Sequence, residues 1–462
     1  MIVMKFGGTS VEDAKAMNNV ISIIQKAQPQ QPIVVLSAIS GATTTFLKAA
    51  SMSLEGQLDE AHARLNQLLE RHIAIAENLI DDRPTIQQLI LSFKRRFEEL
   101  KNICHGIALL GELTNRSLDA IASIGERLST LILAEAMEQR GLPVELVDAR
   151  TFMITNDNFT AAMPLFDIVH EKVIEIFPSL LQSGKIPLTQ GFIGTTSKGI
   201  TTTLGRGGSD YTASIIGASL GAKEIQIWTD VDGVLTADPR IVPNAQKLDT
   251  ISFNEASELA YFGAKVLHPS TILPAIEKNI PVIVLNSKHP ENTGTRIIAQ
   301  PPTSNLSVKS IASKKGIIVI NIISSRMLMA YGFLEMIFSI FNKYKTPVDL
   351  VSTSEVAVSL TIDNPTHLEQ IVVELEQTAE VNVFTDKAIV CVIGERIRSI
   401  SGIARRVFNA LGDINVMMIS QGASEINMSL VVNEVDVEEA VKRLHSEFFE
   451  KQILEEKEKS AL

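Results

Sequence analysis

The sequence is poor in the residues that build redox centres, zinc sites and base-stacking surfaces. Only two of its 462 residues are cysteines, Cys104 and Cys391, and they fit no CxxC or zinc-ligand spacing. This usage is typical of a reducing compartment, and we expect both thiols to be buried and unpaired. Aromatic residues make up 5% of the chain, with one Trp, which leaves little material for surfaces on which nucleic-acid bases stack.

An excess of positive charge and a long apolar run are also missing. Lys and Arg total 42 against 53 Asp and Glu, a net charge of −11, so a nucleic-acid partner is not expected. No apolar run is long enough to span a membrane, and Met1 leads directly into a strand pattern, so we expect a cytoplasmic protein without a membrane partner. The remaining composition is that of an ordinary globular protein, and the length predicts two to four domains at roughly 100–200 residues each.

The first part of the chain has the pattern of an α/β fold. Ile2–Phe6 is an apolar run that ends at two glycines, an amphipathic helix pattern follows, and a second apolar run covers 33–36. This order predicts a mostly parallel sheet covered by helices. Residues 43–140 read as helical, which is too long for one crossover and predicts a helical insertion beside the sheet. Further strands are predicted at 144–147, 186–193, 224–228 and 282–285.

The C-terminal third contains an internal repeat with an offset of 70 residues. Gly332, Phe338, Ser354, Glu355, Ser359 and Leu360 recur as Gly402, Phe408, Ser424, Glu425, Ser429 and Leu430. Each copy reads as a glycine, an amphipathic helix, a strand, a Ser-Glu turn and a strand, which is half of a ferredoxin-like α+β sandwich. Two copies predict two small modules whose sheets pair side by side.

Two glycine-rich segments are predicted at helix starts. In KFGGTS (5–10), free N–H groups and Lys5 attract an anion, although a plain Gly-Gly turn explains the segment equally well. In TTLGRGGSD (202–210), three glycines surround Arg206, whose guanidinium makes two-pronged bonds to carboxylates. Asp210 at the end of this segment is either a helix cap or a site residue.

Three further segments carry charged groups. IGERLS (124–129) contains Glu126 and is by itself weak evidence for a site. The carboxylates of WTDVDG (228–233) could bind Mg²⁺ or a nucleotide ribose, and a plain Asp-Gly turn explains this segment equally well. In FGAKVLHP (262–269), Lys265 suits a phosphate and His268 a packed turn. No Ser-His-Asp order, HExxH motif, cysteine pair or GxGxxG is present. Two glycine-rich segments, lysines and an arginine that can bind anions, without a catalytic nucleophile, indicate phosphoryl transfer. An acceptor held by an arginine and a carboxylate would be a small zwitterion.

KFGGTS, TTLGRGGSDYTA, WTDVDGV with TADPR, and FGAKVLHP together resemble the aspartate kinase family, within the amino acid kinase fold. The resemblance covers essentially the whole chain, includes two C-terminal ACT modules at the repeat, and is to the monofunctional, lysine-sensitive branch. It implies an αβα sandwich with a mostly parallel sheet, followed by tandem ACT domains. It also implies ATP-dependent phosphorylation of the β-carboxylate of L-aspartate to 4-phospho-L-aspartate, the first step toward lysine, threonine and methionine.

The resemblance implies a domain plan and partners as well. The catalytic domain covers 1–290, a linker 291–305 and the first ACT domain 313–384, which is inserted in a second one made of 306–312 and 385–455. Feedback by an end-product amino acid is implied, either lysine or threonine with lysine favoured, and a homodimer or homotetramer formed through the ACT domains. ATP and Mg²⁺ are the implied cofactors, with the ion carried by the phosphates and no protein ligand assigned.

Site residues follow by the same resemblance. Lys5 neutralises the transferring phosphoryl group, Gly7 and Gly8 lend backbone amides, and Arg206 holds the substrate α-carboxylate. The partners of the α-amino group are Glu126 and Asp210, and the rest of the aspartate pocket is Ser37, Thr43, Phe192 and Ser209. The nucleotide positions are Thr229, Asp230, Leu235, Arg240 and Lys265. The effector positions are Met327, Ala330, Gly332, Phe333, Leu334, Val348, Asp349, Thr353, Ser354 and Glu355.

Two positions depart from the family pattern. Leu235 stands where the family usually has tyrosine, so apolar contact with the nucleotide is kept and the polar tip is lost. Ala330 stands where lysine-sensitive relatives tend to carry serine, which predicts weaker or retuned inhibition.

Three alternatives make different sequence predictions. A non-catalytic amino-acid sensor predicts loss of Lys5, Glu126, Arg206 or Asp210, and all four are present. A kinase of the same fold acting on glutamate or acetylglutamate predicts a shorter chain without the paired repeat. A bifunctional kinase-dehydrogenase predicts several hundred more residues and a second nucleotide fold.

Overall fold

The computed structural model describes residues 1–262, 269–301, 308–324 and 331–450, which form two compact units. Unit 1 contains Met1–Val234, Asp249–Phe253 and the described residues of 266–301. Unit 2 contains Leu235–Leu248 and the described residues of 254–265 and 302–462. The predicted limits of the catalytic and ACT domains stay a prediction. Leu235–Leu248 falls within the predicted catalytic domain but belongs to unit 2, because the side chains of Ala237 and Val242 pack in the core of unit 2.

Unit 1 begins with alternating strands and helices. They are β1 (Ile2–Phe6), α1 (Ala14–Ala27), β2 (Pro32–Leu36), α2 (Ala42–Leu54), α3 (Leu58–Leu79), α4 (Arg83–Leu110), α5 (Asn115–Ala122), α6 (Ile124–Gln139), β3 (Val144–Val147), β4 (Ile154–Thr155), α7 (Phe166–Gln182), β5 (Ile186–Gln190), β6 (Ile193–Thr196), β7 (Thr201–Thr203), α8 (Gly208–Leu220) and β8 (Ile225–Thr229). The next elements are β9 (Thr250–Ser252), α9 (Phe253–Tyr261), α10 (Leu273–Glu277), β10 (Val282–Asn286) and β11 (Thr295–Ile298); α9 after Phe253 belongs to unit 2.

The main sheet of unit 1 has eight strands in the order β3-β5-β2-β1-β8-β10-β11-β9. All neighbouring pairs are parallel except β10 and β11, which confirms the predicted mostly parallel sheet. Phe6 at the end of β1 is in register with Leu36 of β2 and Trp228 of β8. The loops that follow these three strands therefore leave the sheet at one edge, where open α/β sheets bind ligands.

The predicted helical insertion is present as α2 to α6. Helix α4 begins with the side chain of Asp82 accepting a hydrogen bond from the Thr85 N–H and ends at Gly111, whose φ of 65° is left-handed. Its Phe93 and Phe97 pack against the ring of His72 on α3. Burial among these rings lowers the pKa of His72 to about 4, so the ring is neutral at pH 7 and is a core residue.

Unit 2 holds the two predicted repeats in one antiparallel sheet. Its further elements are β12 (Ser310–Ile323), α11 (Phe333–Lys343), β13 (Val351–Thr353), β14 (Ala357–Ile362), α12 (Leu368–Leu375), β15 (Glu380–Ile393), α13 (Ile403–Leu411), β16 (Met418–Gln421), β17 (Asn427–Asn433) and α14 (Val437–His445). The strand order is β13-β14-β12-β15-β17-β16.

The repeats share two long central strands. The first half of β12 pairs with the second half of β15, from Ser310 opposite Ile393, and the remaining halves pair with each other. Helices α11 and α13 begin after Gly332 and Gly402, whose φ values of +83° and +81° require the same left-handed turn. The sequence repeat is therefore also a repeat of the backbone.

Both cysteines are buried and unpaired, as expected. Across residues 1–262, 269–301, 308–324 and 331–450, no helix is long and apolar enough to cross a membrane.

Candidate active site

A cavity of about 530 Å³ opens in unit 1 where β1 and β2 end. Its walls come from these strand ends, from α2, α5 and α6, and from the glycine-rich loop that opens α8. The predicted site residues in the wall are Lys5, Ser37, Thr43, Glu126, Phe192, Arg206, Ser209 and Asp210. Residues that are up to 205 positions apart in sequence thus share one cavity.

The ammonium of Lys5 and the carboxylate of Asp210 form an ion pair across the cavity floor. Lys5 Nζ lies 2.6 Å from Asp210 Oδ1, and each side chain is 12% exposed. Lys5 is on β1 and Asp210 is in the first turn of α8. Because water screens this pair less than a surface pair, the positive charge of Lys5 is held in a fixed position beside the cavity.

Backbone conformation and close packing explain the glycines around the start of α8. Gly205 and Gly207 have φ values of +77° and +71°, which favour glycine. A Cβ on Gly208 would lie 2.8 Å from the ring of Phe192, so the loop fits against Phe192 only without a side chain. Arg206 at the loop tip is exposed and forms no ion pair or hydrogen bond with any residue that the structure describes. Its guanidinium is available to a ligand.

The N-terminal glycines form a second tight turn. The Gly7 N–H donates to the Trp228 carbonyl at 3.0 Å, and the Gly8 carbonyl accepts from the Ser40 N–H at 3.1 Å. A Cβ on Gly8 would lie 2.9 Å from the Ala38 carbonyl oxygen, so only glycine fits here. Gly7 and Gly8 lie at the end of β1 and are not among the residues of the cavity wall.

Glu126 is a buried acid in the cavity wall. It is 4% exposed, and its Oε2 has no hydrogen-bond partner in the described part of the chain. Burial raises the pKa of Glu126 to about 8, so without a cation nearby the carboxyl group is mostly protonated at pH 7. The preceding Gly125 lets α6 approach the segment after β2, since a Cβ there would lie 2.7 Å from the Cβ of Ala38. This packing carries Glu126 into the cavity.

Several wall residues are not predicted by any sequence motif. They are Leu47, Ser51, Leu118, Asp119, Ala122 and Thr160, whereas Thr203, Gly205, Gly207 and Gly208 belong to the glycine-rich segment 202–210 that the sequence singles out. Asp119 is the notable omission, because it is an acid that is only 1% exposed. The signal that could have found it is a carboxylate between the apolar neighbours Leu118 and Ile121 on a short helix.

The structure distributes the predicted nucleotide residues over both units. Thr229 is the last residue of β8 and Asp230 follows it, at the sheet edge where β1 also ends. Leu235 and Arg240 lie in unit 2, where the Arg240 guanidinium pairs with Asp238 at 2.5 Å. Lys265, like His268, lies outside the described residues. The described ranges also contain no group of three or more His, Cys, Asp or Glu side chains placed to hold a metal ion.

The predicted effector residues lie in unit 2, except that Met327 and Ala330 fall outside the described residues. Gly332, Phe333 and Leu334 open α11, while Thr353, Ser354 and Glu355 form the turn between β13 and β14. Val348 and Asp349 precede β13. The side chain of Asp349 is 3% exposed and accepts hydrogen bonds from Tyr261 Oη at 2.6 Å and Lys314 Nζ at 3.0 Å.

Known families match both parts of the chain. The model of the amino acid kinase family matches residues 1–286, and a model of the ACT domain matches residues 390–448. Among curated proteins, "Aspartokinase 3, chloroplastic" of Arabidopsis thaliana is 41% identical over 97% of this chain and 81% of its own length. "Lysine-sensitive aspartokinase 3" of Escherichia coli is 37% identical over 97% of this chain and 99% of its own length.

Solved structures agree with these matches. The crystal structure of E. coli aspartokinase III in complex with aspartate and ADP, in the R-state, has a TM-score of 0.86 and 36% identity. The alignment covers 97% of this chain and 100% of the E. coli chain. The T-state structure of the same enzyme, in complex with lysine and aspartate, has a TM-score of 0.80, 37% identity and coverage of 97% and 99%. On this similarity along nearly the entire chain, the protein belongs to the aspartokinases, within the amino acid kinase family.

Proposed function

We propose that this protein is an aspartate kinase, which transfers the γ-phosphoryl group of ATP to the β-carboxylate of L-aspartate and is regulated by an end-product amino acid. The product, 4-phospho-L-aspartate, leads to lysine, threonine and methionine. The observation that carries the proposal is one cavity that combines the Lys5–Asp210 ion pair, the available Arg206 guanidinium and the buried carboxyl of Glu126. The aspartate and ADP bound to the E. coli relative support it.

The cavity wall matches the charges of aspartate. Arg206 holds the α-carboxylate through two parallel hydrogen bonds, since its guanidinium is free at the loop tip. The carboxylates of Glu126 and Asp210 bind the α-ammonium group, and this contact satisfies Glu126 Oε2. Ser37, Thr43, Phe192 and Ser209 complete the wall around the substrate.

The reaction requires no general base, because the β-carboxylate is already ionised at pH 7. One of its oxygens attacks the γ-phosphorus of ATP. A new C–O–P bond forms while the bond from the γ-phosphorus to the oxygen of the ADP leaving group breaks. The difficulty is repulsion between two anions, and the ammonium of Lys5, which Asp210 fixes at 2.6 Å, offsets this repulsion without rearranging during the reaction.

The nucleotide lies against the N-terminal glycine turn, with the amide of Gly8 toward its phosphates. The predicted role of the Gly7 amide does not hold, because its N–H already donates to the Trp228 carbonyl. Thr229 and Asp230, at the same sheet edge, are the further nucleotide contacts of this proposal. The roles of Leu235, Arg240 and Lys265 stay predictions from the resemblance. Mg²⁺ bound to the phosphates would offset their charge. Within the described ranges no carboxylate cluster suits the ion, so we assign it no protein ligand.

The regulatory proposal concerns the first repeat of unit 2. The carboxylate of Asp349 binds the ammonium group of the effector, since its Oδ2 has no hydrogen-bond partner among the residues that the structure describes. The α11 start near Gly332 binds the effector carboxylate. The lysine bound to the T-state relative supports lysine as effector. A homodimer or homotetramer through the ACT domains and a cytoplasmic location are part of the same proposal.

The proposed function is tested by ATP turnover with L-aspartate, in which hydroxylamine traps the acyl phosphate. We expect hydroxamate that depends on both substrates and is suppressed by millimolar lysine but not by threonine. Turnover that neither amino acid affects would contradict the effector assignment and leave the kinase proposal intact. Absence of turnover from folded protein with ATP and Mg²⁺ would contradict the kinase proposal and favour a non-catalytic amino-acid sensor.

Replacing Arg206 tests the assignment of the α-carboxylate clamp. We expect Arg206→Ala to raise the aspartate KM about 10- to 100-fold, the cost of losing hydrogen bonds between charged groups, with the ATP KM within about twofold. Arg95→Ala is the matched control, because Arg95 is an exposed arginine on α4 whose partner is Glu99. An aspartate KM in Arg206→Ala equal to that of the control would refute the clamp.

The raised pKa of Glu126 predicts a pH dependence of aspartate binding. Below pH 8 the free carboxyl group is protonated, whereas the α-ammonium of aspartate stabilises the ionised form. Binding at pH 7 therefore releases a proton, and the aspartate KM rises by up to about tenfold per pH unit as the pH falls below 8. Measurements of the aspartate KM from pH 6 to 9 check this expectation.

Glu126→Gln is the control for this pH dependence, because the amide does not titrate in this range. We expect a higher aspartate KM that varies little between pH 6 and 8. If the wild-type KM were flat over this range, or if Glu126→Gln kept the same slope, another group would be responsible.

A further inference from the structure

We propose that Asp119 is a positioning residue for substrate binding, whose buried carboxylate fixes the two backbone segments that hold the Arg206 loop. The inference rests on the proposed function, and it adds a residue that acts through others and does not itself touch aspartate. Asp119 is on α5, in the cavity wall, and is 1% exposed.

The carboxylate of Asp119 accepts hydrogen bonds from two residues. The Thr160 N–H lies 3.1 Å from Oδ1 and 3.0 Å from Oδ2. Thr203 donates its N–H to Oδ2 at 3.0 Å and its hydroxyl to Oδ1 at 2.5 Å. Both oxygens thus accept hydrogen bonds, an arrangement that suits an ionised carboxylate. Burial raises the pKa of Asp119, and the hydrogen bonds from Thr203 and Thr160 oppose that rise.

The first segment is held in a conformation that it would not adopt alone. Thr160 has a φ of +71°, which is unfavourable for a β-branched residue. Its carbonyl oxygen lies 3.2 Å from the position that a Cβ would occupy on Gly205, the residue before Arg206. The strained backbone of Thr160 therefore packs directly against the Arg206 loop. Asp119 supplies hydrogen bonds that stabilise this conformation.

The second segment leads into the loop itself. Thr203 ends β7, and its carbonyl accepts the Ala162 N–H at 2.9 Å, while its own N–H is held by Asp119. The next N–H, of Leu204, donates to the Phe192 carbonyl at 2.9 Å. Only Leu204 and Gly205 separate this anchored strand end from Arg206. The position of the guanidinium therefore depends on the carboxylate of Asp119.

The carboxylate is the hydrogen-bond acceptor for both segments. Without it, the N–H groups of Thr160 and Thr203 and the Thr203 hydroxyl lose their partner. Asp119→Ala should therefore release both segments and displace Arg206, while the nucleotide contact proposed at Gly8 is unaffected. This separates a positioning role from a general loss of stability.

The test compares the kinetics of three variants with the wild type. We expect Asp119→Ala to raise the aspartate KM about tenfold or more, with the ATP KM within about twofold. The double variant Asp119→Ala/Thr160→Gly should recover part of the lost aspartate affinity, because glycine adopts a positive φ without help. Asp148→Ala is the matched control, since Asp148 is a half-buried acid that binds Arg150 and is not part of the cavity wall.

Calorimetric titration of aspartate into each protein accompanies the kinetics, so that binding is measured without turnover. Folded Asp119→Ala with an aspartate KM within about twofold of the wild type would overturn the inference, as would an equal effect of Asp148→Ala. If Asp119→Ala does not fold, Thr203→Val, which removes only the hydroxyl donor, should raise the aspartate KM severalfold, and an unchanged KM would overturn the inference. Wild-type protein that neither binds nor phosphorylates aspartate would instead refute the proposed function.

Discussion

The ion pair between Lys5 and Asp210 is the interaction on which the rest of the cavity depends. It joins the central strand of the parallel sheet to the first turn of α8, two elements that are about 200 residues apart in sequence. At 2.6 Å and largely shielded from water, it fixes a positive charge in the cavity wall, where the proposed reaction brings two anionic groups together. Phosphoryl transfer to a carboxylate needs this kind of fixed charge more than it needs a nucleophile or base.

Close backbone packing is the second constraint, and it explains three of the glycines in the motifs. Gly8 packs against the Ala38 carbonyl, Gly125 against the Ala38 side chain, and Gly208 against Phe192. In each case a Cβ would come within 3.0 Å of a neighbouring atom. These contacts bring β1, α6 and α8 around one cavity. The same glycines that suit anion binding are therefore also required for the walls to close.

Much of the fold and part of the site could be predicted from the sequence, because local patterns encode them. The apolar runs predicted the parallel sheet, and the 70-residue offset predicted the repeat. The motifs and the family resemblance singled out Lys5, Glu126, Arg206 and Asp210, which the structure places in one cavity wall. Asp119 could not be found in this way, because its role depends on Thr160 and Thr203, which only the folded chain brings near. The grouping of 235–248 with unit 2 likewise depends on tertiary packing and has no local pattern.

In the proposed mechanism, a fixed charge at Lys5 drives phosphoryl transfer to the bound aspartate. The kcat of Lys5→Met at saturating aspartate and ATP tests this role most directly, with aspartate binding confirmed by calorimetry. We expect a fall in kcat on the order of 10²–10³, by analogy with the loss of one preorganised donor in other enzymes. A kcat within a few-fold of the wild type would show that the charge of Lys5 does not drive the transfer.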